Sequence, residues 1–384
     1  MRVCFISLEY PPNILGGEGT YAETIVDGLK RRGVDVFVIT RGDRNDCDQK
    51  TFRVPTSNVP YWRRLFFMKT AVSLFRKSNK LSKFDLVHLN GPHIMFRKLS
   101  PPTVCTIHSV QVTEIKLKLA HSKTLKTPTD IIDLILKNPI GIICDLSNAH
   151  ATDKIICPSP HLARLIKSYC FVNEEKICVI PNGIDPEAFD KIKEYDTSIL
   201  SKYDLERDNY VLFIGRLSSL KGVQCLIEAF RAVKKEYANL KLVIVGTGDF
   251  EVYLRNLAYG IEDVVFTGYV DSLAVKKLLY ENCLAVAVPS LYEGLPMVVH
   301  EAMACRKAVI ASDVGGIPLL IRHGKNGFLV KPGDSQSLEK FIRILFEDAN
   351  LRKNMGSFGR KLVEKEFTVD KMVDETLKVY ESLL

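Results

Sequence analysis

Two glutamates eight residues apart, Glu293 and Glu301 in YEGLPMVVHEAMACR, raise the first chemical question. Carboxylates so placed could be a general acid and base, part of a metal site, or unconnected surface groups. The apolar run just before them, CLAVAVPS (283–290), reads as a buried strand. In open α/β sheets, ligands bind beyond the carboxyl ends of strands. Pro296 suits the first turn of a helix expected from about Met297 to Cys305. Glu293 then precedes that helix and Glu301 lies inside it. The N–H groups at the start of that helix, near Gly294–Met297, would favour an anion. A carboxylate beside an anion is repelled unless it faces something neutral, such as sugar hydroxyls. The spacing therefore suits an extended ligand with an anionic centre and a hydroxyl-rich group at each end. A nucleotide sugar has that shape. A loop glutamate and an exposed helical glutamate would be the plain alternative.

Other strand ends carry related signals. After YVLFIG (210–215) comes GRLSSLKG, where Arg216 and Lys221 flank a loop feeding a helix expected near Gly222. A guanidinium fork and an ammonium point charge suit a diphosphate; a solvated loop is the alternative. After RVCFIS (2–7), Gly16, Gly17 and Gly19 precede a helix expected near Thr20. Such a turn offers N–H groups to an anion, but neither a Walker loop nor G-x-G-x-x-G is present. After KLVIVG (241–246), Gly246 and Gly248 match two glycines of the dinucleotide fingerprint, but Glu251 stands at the third position. A nicotinamide cofactor is not expected.

The elements that would position these residues repeat. Strand candidates in the first half are 2–7, 34–40, 84–90, 103–108, 154–158 and 176–181; in the second, 210–215, 241–246, 264–268, 283–290 and 307–312. Apolar strands alternating with amphipathic stretches indicate parallel sheets covered on both faces. At 384 residues the chain exceeds one ordinary core. Two doubly wound α/β domains are expected, 1–185 and 186–366, with a polar linker over 185–207 and a last amphipathic helix over 367–384.

No run of some 18 apolar residues suggests a membrane span, and the N-terminus does not read as a signal peptide. The ten cysteines are scattered without C-x-x-C pairs, which suggests buried thiols in a reducing cytoplasm rather than disulfides or zinc. Charge is uneven. Residues 1–185 hold 26 Lys/Arg against 17 Asp/Glu, and 49–84 hold nine basic residues and no acid. An anionic partner is plausible there. Within 61–77, Trp62, Leu65, Phe66, Lys69, Val72 and Phe75 fall roughly on one face. That suits either ordinary packing or a helix lying on an anionic membrane at the inner face. Packing is the favoured reading. Nucleic acid is not expected, since no binding motif accompanies the charge. Asp46 and Asp48 form D-x-D, here in a polar loop and not at a strand end.

EGLPMVVHE, GRLSSLKG, PNGID (181–185), GGEGTYAETI (16–25) and FTGYV (266–270) together resemble the retaining, nucleotide-sugar-dependent glycosyltransferases of family 4. The likeness is strongest over about 179–330. It implies the GT-B fold, with two Rossmann-like domains facing a central cleft, and the last helix crossing back onto domain one. It implies that Glu293 holds the transferred hexose, that Glu301 binds ribose, and that Arg216 and Lys221 neutralise the diphosphate with no metal and no further cofactor. It also implies that Gly17 lets the first loop approach the phosphates and that the backbone of Gly268, Tyr269 and Val270 reads the base. Asn182, in PNGID, and Gly294, Leu295 and Pro296 join the donor contacts. His108 matches the histidine near the reacting carbon, though a structural histidine is the alternative. Two departures stand out: Ser109 follows His108, and the usual E-G-F reads E-G-L. Residues 41–150, which would choose a saccharide or lipid-linked acceptor, match no motif. A nucleotide-sugar epimerase and a non-catalytic nucleotide-sugar-binding protein are the competing readings. An epimerase would change the sugar without an acceptor, and the intact charged set argues against mere binding.

Overall fold

The computed structural model describes residues 1–14, 16–42, 50–56, 60–91, 98–120, 138–193 and 196–384, without the side chains of 60–65, 80–82, 118–120 and 138. Asp46 and Asp48 lie outside the described residues. The contacts divide the described chain into two units. One comprises Met1–Lys116, Ile131–Asn182 and Val369–Leu384; the other is built on Gly183–Thr368.

The first unit holds seven strands: β1 (Arg2–Ser7), β2 (Asp35–Arg41), β3 (Thr51–Val54), β4 (Leu86–Asn90), β5 (Thr103–Thr106), β6 (Lys154–Cys157) and β7 (Ile177–Val179). Their order is β3-β2-β1-β4-β5-β6-β7, and every pairing is parallel. Strand β1 shows why both faces are covered. Val3 and Phe5 pack with the Gly17–Arg31 and Val369–Glu381 helices; Cys4 and Ile6 pack with the Pro60–Ser82 and Pro160–Cys170 helices. Alternate side chains thus enter two separate cores. The last helix docks closely on the first. A Cβ on Gly28 would come 2.3 Å from a Val373 methyl, so any side chain there would force Val373 or the helix to shift.

The second unit holds β8 (Tyr210–Ile214), β9 (Lys241–Val245), β10 (Val264–Gly268), β11 (Ala285–Val288), β12 (Val309–Ser312) and β13 (Gly327–Val330). Their order is β10-β9-β8-β11-β12-β13, again all parallel. Val211 and Phe213 enter one core; Tyr210 and Leu212 enter the other.

Several expectations change. Strands β3 and β13 were not anticipated: TFRV and GFLV are four residues each, and polar or glycine-rich neighbours mask them. The 185–207 stretch is not plain linker, because it carries short helices at Pro186–Lys191 and Ser198–Lys202. Asp185 caps the first through the Glu187 and Ala188 N–H groups. On the basic helix, Phe67, Met68, Ala71 and Phe75 are buried while Phe66 is 51% exposed. The packed face is therefore rotated about one residue from the expected one, following the i, i+4, i+8 row 67/71/75. Trp62 and Leu65 lie outside the described side chains. No helix among the described residues is long and apolar enough to cross a membrane.

Candidate functional site

Strand order locates the crevice in each unit. In the second, the chain starts at β8, fills one side with β9 and β10, then reverses to β11, β12 and β13. The switch point lies between β8 and β11, and ligands of doubly wound sheets bind there. The loop after β8 carries Arg216 and Lys221; the loop after β11 carries Glu293.

These two loops are joined. The Leu291 N–H donates to the Leu220 carbonyl at 2.8 Å. Gly222, at φ +69°, caps the Val223–Val233 helix, and a Cβ there would lie 1.9 Å from the Pro289 oxygen. This close approach carries Lys221 to Glu293: its Nζ donates to Oε1 at 2.6 Å. The Ser290 hydroxyl donates to the same oxygen at 2.7 Å. Glu293 is only 9% exposed and Ser290 is fully buried. Two donors on Oε1 fix the carboxylate's orientation, and Oε2 accepts from neither. Behind it, Gly315 (φ +59°) sits where a Cβ would be 1.8 Å from the Glu293 carbonyl, and the Gly316 N–H donates to Gly294 O at 2.8 Å. Arg216 is exposed and forms no side-chain hydrogen bond or ion pair among the described residues.

Pro296 is the N-cap of the Met297–Ala304 helix rather than a first-turn residue, at φ −73° and ψ 123° with no side-chain cap. The helix is held by burial of Val299, Ala302 and Met303, and its uncapped N–H groups carry the positive end of the dipole. Glu301 lies on it, half-buried, and Oε2 accepts from the Tyr280 hydroxyl at 2.7 Å. Burial, and next the Glu301 charge, push the Tyr280 pKa well above the ordinary phenol range, so it remains a donor. The lysine and both glutamates thus come together around one helix start and one loop pair. Gly268 (φ +78°) ends β10 with its carbonyl accepting from the Gly246 N–H at 2.8 Å. Beyond it Tyr269 is exposed and Val270 half-buried.

In the first unit the order reverses between β1 and β4. The Gly17–Arg31 helix begins earlier than Thr20, since Gly16 is the extended N-cap and Gly17 and Gly19 form the first turn. The Gly16 N–H donates to the Glu9 carboxylate at 3.1 Å. Strand β5 ends at Thr106, leaving His108 two residues beyond, half-buried. Asn90 donates from Nδ2 to Ser7 Oγ at 3.0 Å and to the Glu18 carbonyl at 3.1 Å. A carbonyl can only accept, so Asn90 Oδ1 must receive the His108 Nε2–H, 2.8 Å away. His108 is thereby set as the Nε2–H tautomer. Desolvation lowers its pKa and the Glu18 charge partly opposes this, so the neutral ring is favoured. Asn182 is buried at the end of the first unit.

Sequence reasoning missed Ser290, Tyr280 and Asn90. Ser290 was within reach, as the residue closing the CLAVAVPS strand beside Glu293. Tyr280 and Asn90 meet their partners only through the fold.

Two all-parallel, doubly wound units, each with a topological switch point, make up the two-domain Rossmann-like GT-B fold, which the solved glycosyltransferase structures below share. Glycosyl transferases group 1 match residues 197–362, and Glycosyltransferase Family 4 matches residues 15–188. The chain belongs to the family 4 type of glycosyltransferase. The second match takes in 41–150, where no motif was legible. An uncharacterized glycosyltransferase of Methanocaldococcus jannaschii is 29% identical, covering 99% of this chain and 98% of that protein. Among solved structures, sucrose-phosphate synthase from Thermosynechococcus elongatus has TM-score 0.78 at 20% identity, covering 100% of this chain and 98% of that one. Anabaena HepE in complex with UDP-glucose has TM-score 0.74 at 20% identity, covering 100% of both.

Proposed function

We propose that this glycosyltransferase moves a hexose from a nucleoside-diphosphate sugar to a saccharide or lipid-linked acceptor, with retention at the anomeric carbon and without a metal. The observation that carries this reading is the Lys221–Glu293 pair at the switch point, beside the uncapped helix that also bears Glu301. The costly step is breaking the anomeric C–O bond while charge builds on the leaving diphosphate. Lys221, Arg216 and the N–H groups in the first turn of the Met297–Ala304 helix stabilise that charge electrostatically. Glu293, held by Ser290, accepts from hexose hydroxyls through its second oxygen, while Glu301 accepts from the ribose. The backbone of Gly268–Val270 reads the base. HepE, whose structure contains UDP-glucose, supports a nucleotide-sugar donor.

A thermal-shift panel of UDP-glucose, UDP-N-acetylglucosamine and GDP-mannose tests this, because a ligand of the native state raises stability by mass action. At least one should raise Tm; none doing so at millimolar concentration would contradict the reading. Transfer should survive exhaustive EDTA treatment, and a strict divalent requirement would remove the metal-free mechanism. The exposed Phe66, Lys69, Arg76 and Lys77 support contact of the basic helix with an anionic membrane. Salt-insensitive or absent co-sedimentation with anionic vesicles would leave only its packing role.

A further inference from the structure

The first unit contains a second cross-strand pair directly behind Asn90 and His108. His88 and Asn90 alternate on β4; Thr106 and His108 alternate on β5 and its extension. His88 Nε2 meets Thr106 Oγ1 at 2.7 Å, just as His108 Nε2 meets Asn90 Oδ1 at 2.8 Å. Both pairs have the same cross-strand offset in the β4–β5 register. One pleat repeat therefore separates a half-buried pair from a fully buried one.

The buried pair continues in both directions. His88 Nδ1 lies 2.5 Å from the Tyr380 hydroxyl on the last helix. Thr106 Oγ1 lies 3.1 Å from the Tyr21 hydroxyl on the first helix. The Tyr21 ring then meets the His108 imidazole edge-on, with centroids 4.8 Å apart and planes at 73°. Among the described residues the Tyr380 hydroxyl has no other hydrogen-bond partner, and it is fully buried, so its proton goes to His88 Nδ1, and His88 Nε2–H goes to Thr106. Apolar residues would fill this core without the desolvation cost of four polar groups. A fully partnered chain instead fixes one arrangement of side chains.

We propose that Tyr380 and His88 are positioning residues for His108, locking the Tyr21 ring on which its imidazole rests and so tying the last helix to the orientation of that histidine. This rests on the reading of His108 as a working residue of the transferase. The first readout does not depend on that reading: side-chain NMR of the ¹⁵N-histidine-labelled full-length protein, with His108 assigned from His108→Gln. Tyr380→Phe keeps the ring and removes one hydroxyl; Tyr21→Phe does the same at the other end. Each should move the His108 ring resonances while the protein keeps a cooperative thermal transition. An unchanged His108 signal in both variants overturns the proposal. The second readout is turnover with the nucleotide sugar that gives the largest thermal shift. Tyr380→Phe should lower kcat about fivefold with little change in KM for that donor, and the loss should vanish in the His108→Gln background. A loss of the same size in that background would show Tyr380 acting elsewhere and also overturns it. Full kcat in His108→Gln alone would instead remove the working role of His108, and the NMR signal would still decide the positional link.

Discussion

Replacing Gly222 with alanine should separate the two loops that bring Lys221 to Glu293. The cost has three parts. A residue with a Cβ at φ +69° pays about 1 kcal/mol for the left-handed conformation. The new Cβ would lie 1.9 Å from the Pro289 carbonyl oxygen, so backbone must move. Relieving that contact strains or breaks the Leu291 N–H to Leu220 O bond, about 1 kcal/mol. It also lengthens the Lys221–Glu293 bond, a charged contact worth about 1.5 kcal/mol in a half-exposed setting. The expected loss is roughly 3–4 kcal/mol, or roughly 10 °C in Tm for a unit of this size. Gly260→Ala is the control. It sits at φ +76° with nothing within 4 Å of a built Cβ, so only the conformational cost of about 1 kcal/mol applies. Urea unfolding of both variants gives the comparison, and calorimetry with UDP and GDP reads the site. Gly222→Ala should also weaken the nucleotide that the wild type binds by about tenfold. If Gly222→Ala proves as mild as Gly260→Ala, with affinity intact, the two loops are not coupled as described.

Tyr280→Phe removes the donor on Glu301 Oε2. It should cost about 1.5 kcal/mol in stability and weaken nucleoside-diphosphate binding several-fold; unchanged affinity by calorimetry would separate Tyr280 from ribose recognition. Burial holds the His88 pKa at about 3 against an ordinary value of 6.5. The folded state then binds fewer protons than the unfolded one between these values. The resulting stability is full above pH 6.5 and is lost as pH falls towards 3. Between pH 6.5 and 4.5 the wild type should lose about 2 kcal/mol more than His88→Gln, measured by urea unfolding. Parallel curves would show that His88 does not titrate as a buried neutral group.

The second unit was the more legible in sequence, for a physical reason. Its strands are apolar and β-branched, and its charged residues follow strand ends within a few positions, as Arg216 and Lys221 follow β8 and Glu293 follows β11. Local spacing was enough to place them. The first unit assembles its polar groups across long separations. His88 meets Tyr380 and Tyr21 meets Thr106 only once parallel crossovers and the returning helix are in place. Nothing near Tyr380 in the sequence marks it. Strands β3 and β13 escape pattern reading because polar residues, glycine and proline flank them closely, whereas equally short strands such as β11 and β12 lie in longer apolar runs. The rotated face of the basic helix shows a related limit, since Phe66 and Phe67 are equally apolar and only tertiary packing decides which is buried.

The central claim is that Glu301 holds the nucleoside and Glu293 holds the sugar. Calorimetry of Glu301→Gln and Glu293→Gln with the free nucleoside diphosphate and with its sugar conjugate tests it most directly. Glu301→Gln should weaken both ligands by about tenfold. Glu293→Gln should leave the free diphosphate as tight or tighter, because Lys221 loses its competing carboxylate, and weaken only the conjugate. Equal weakening of the free diphosphate by both changes would contradict the account.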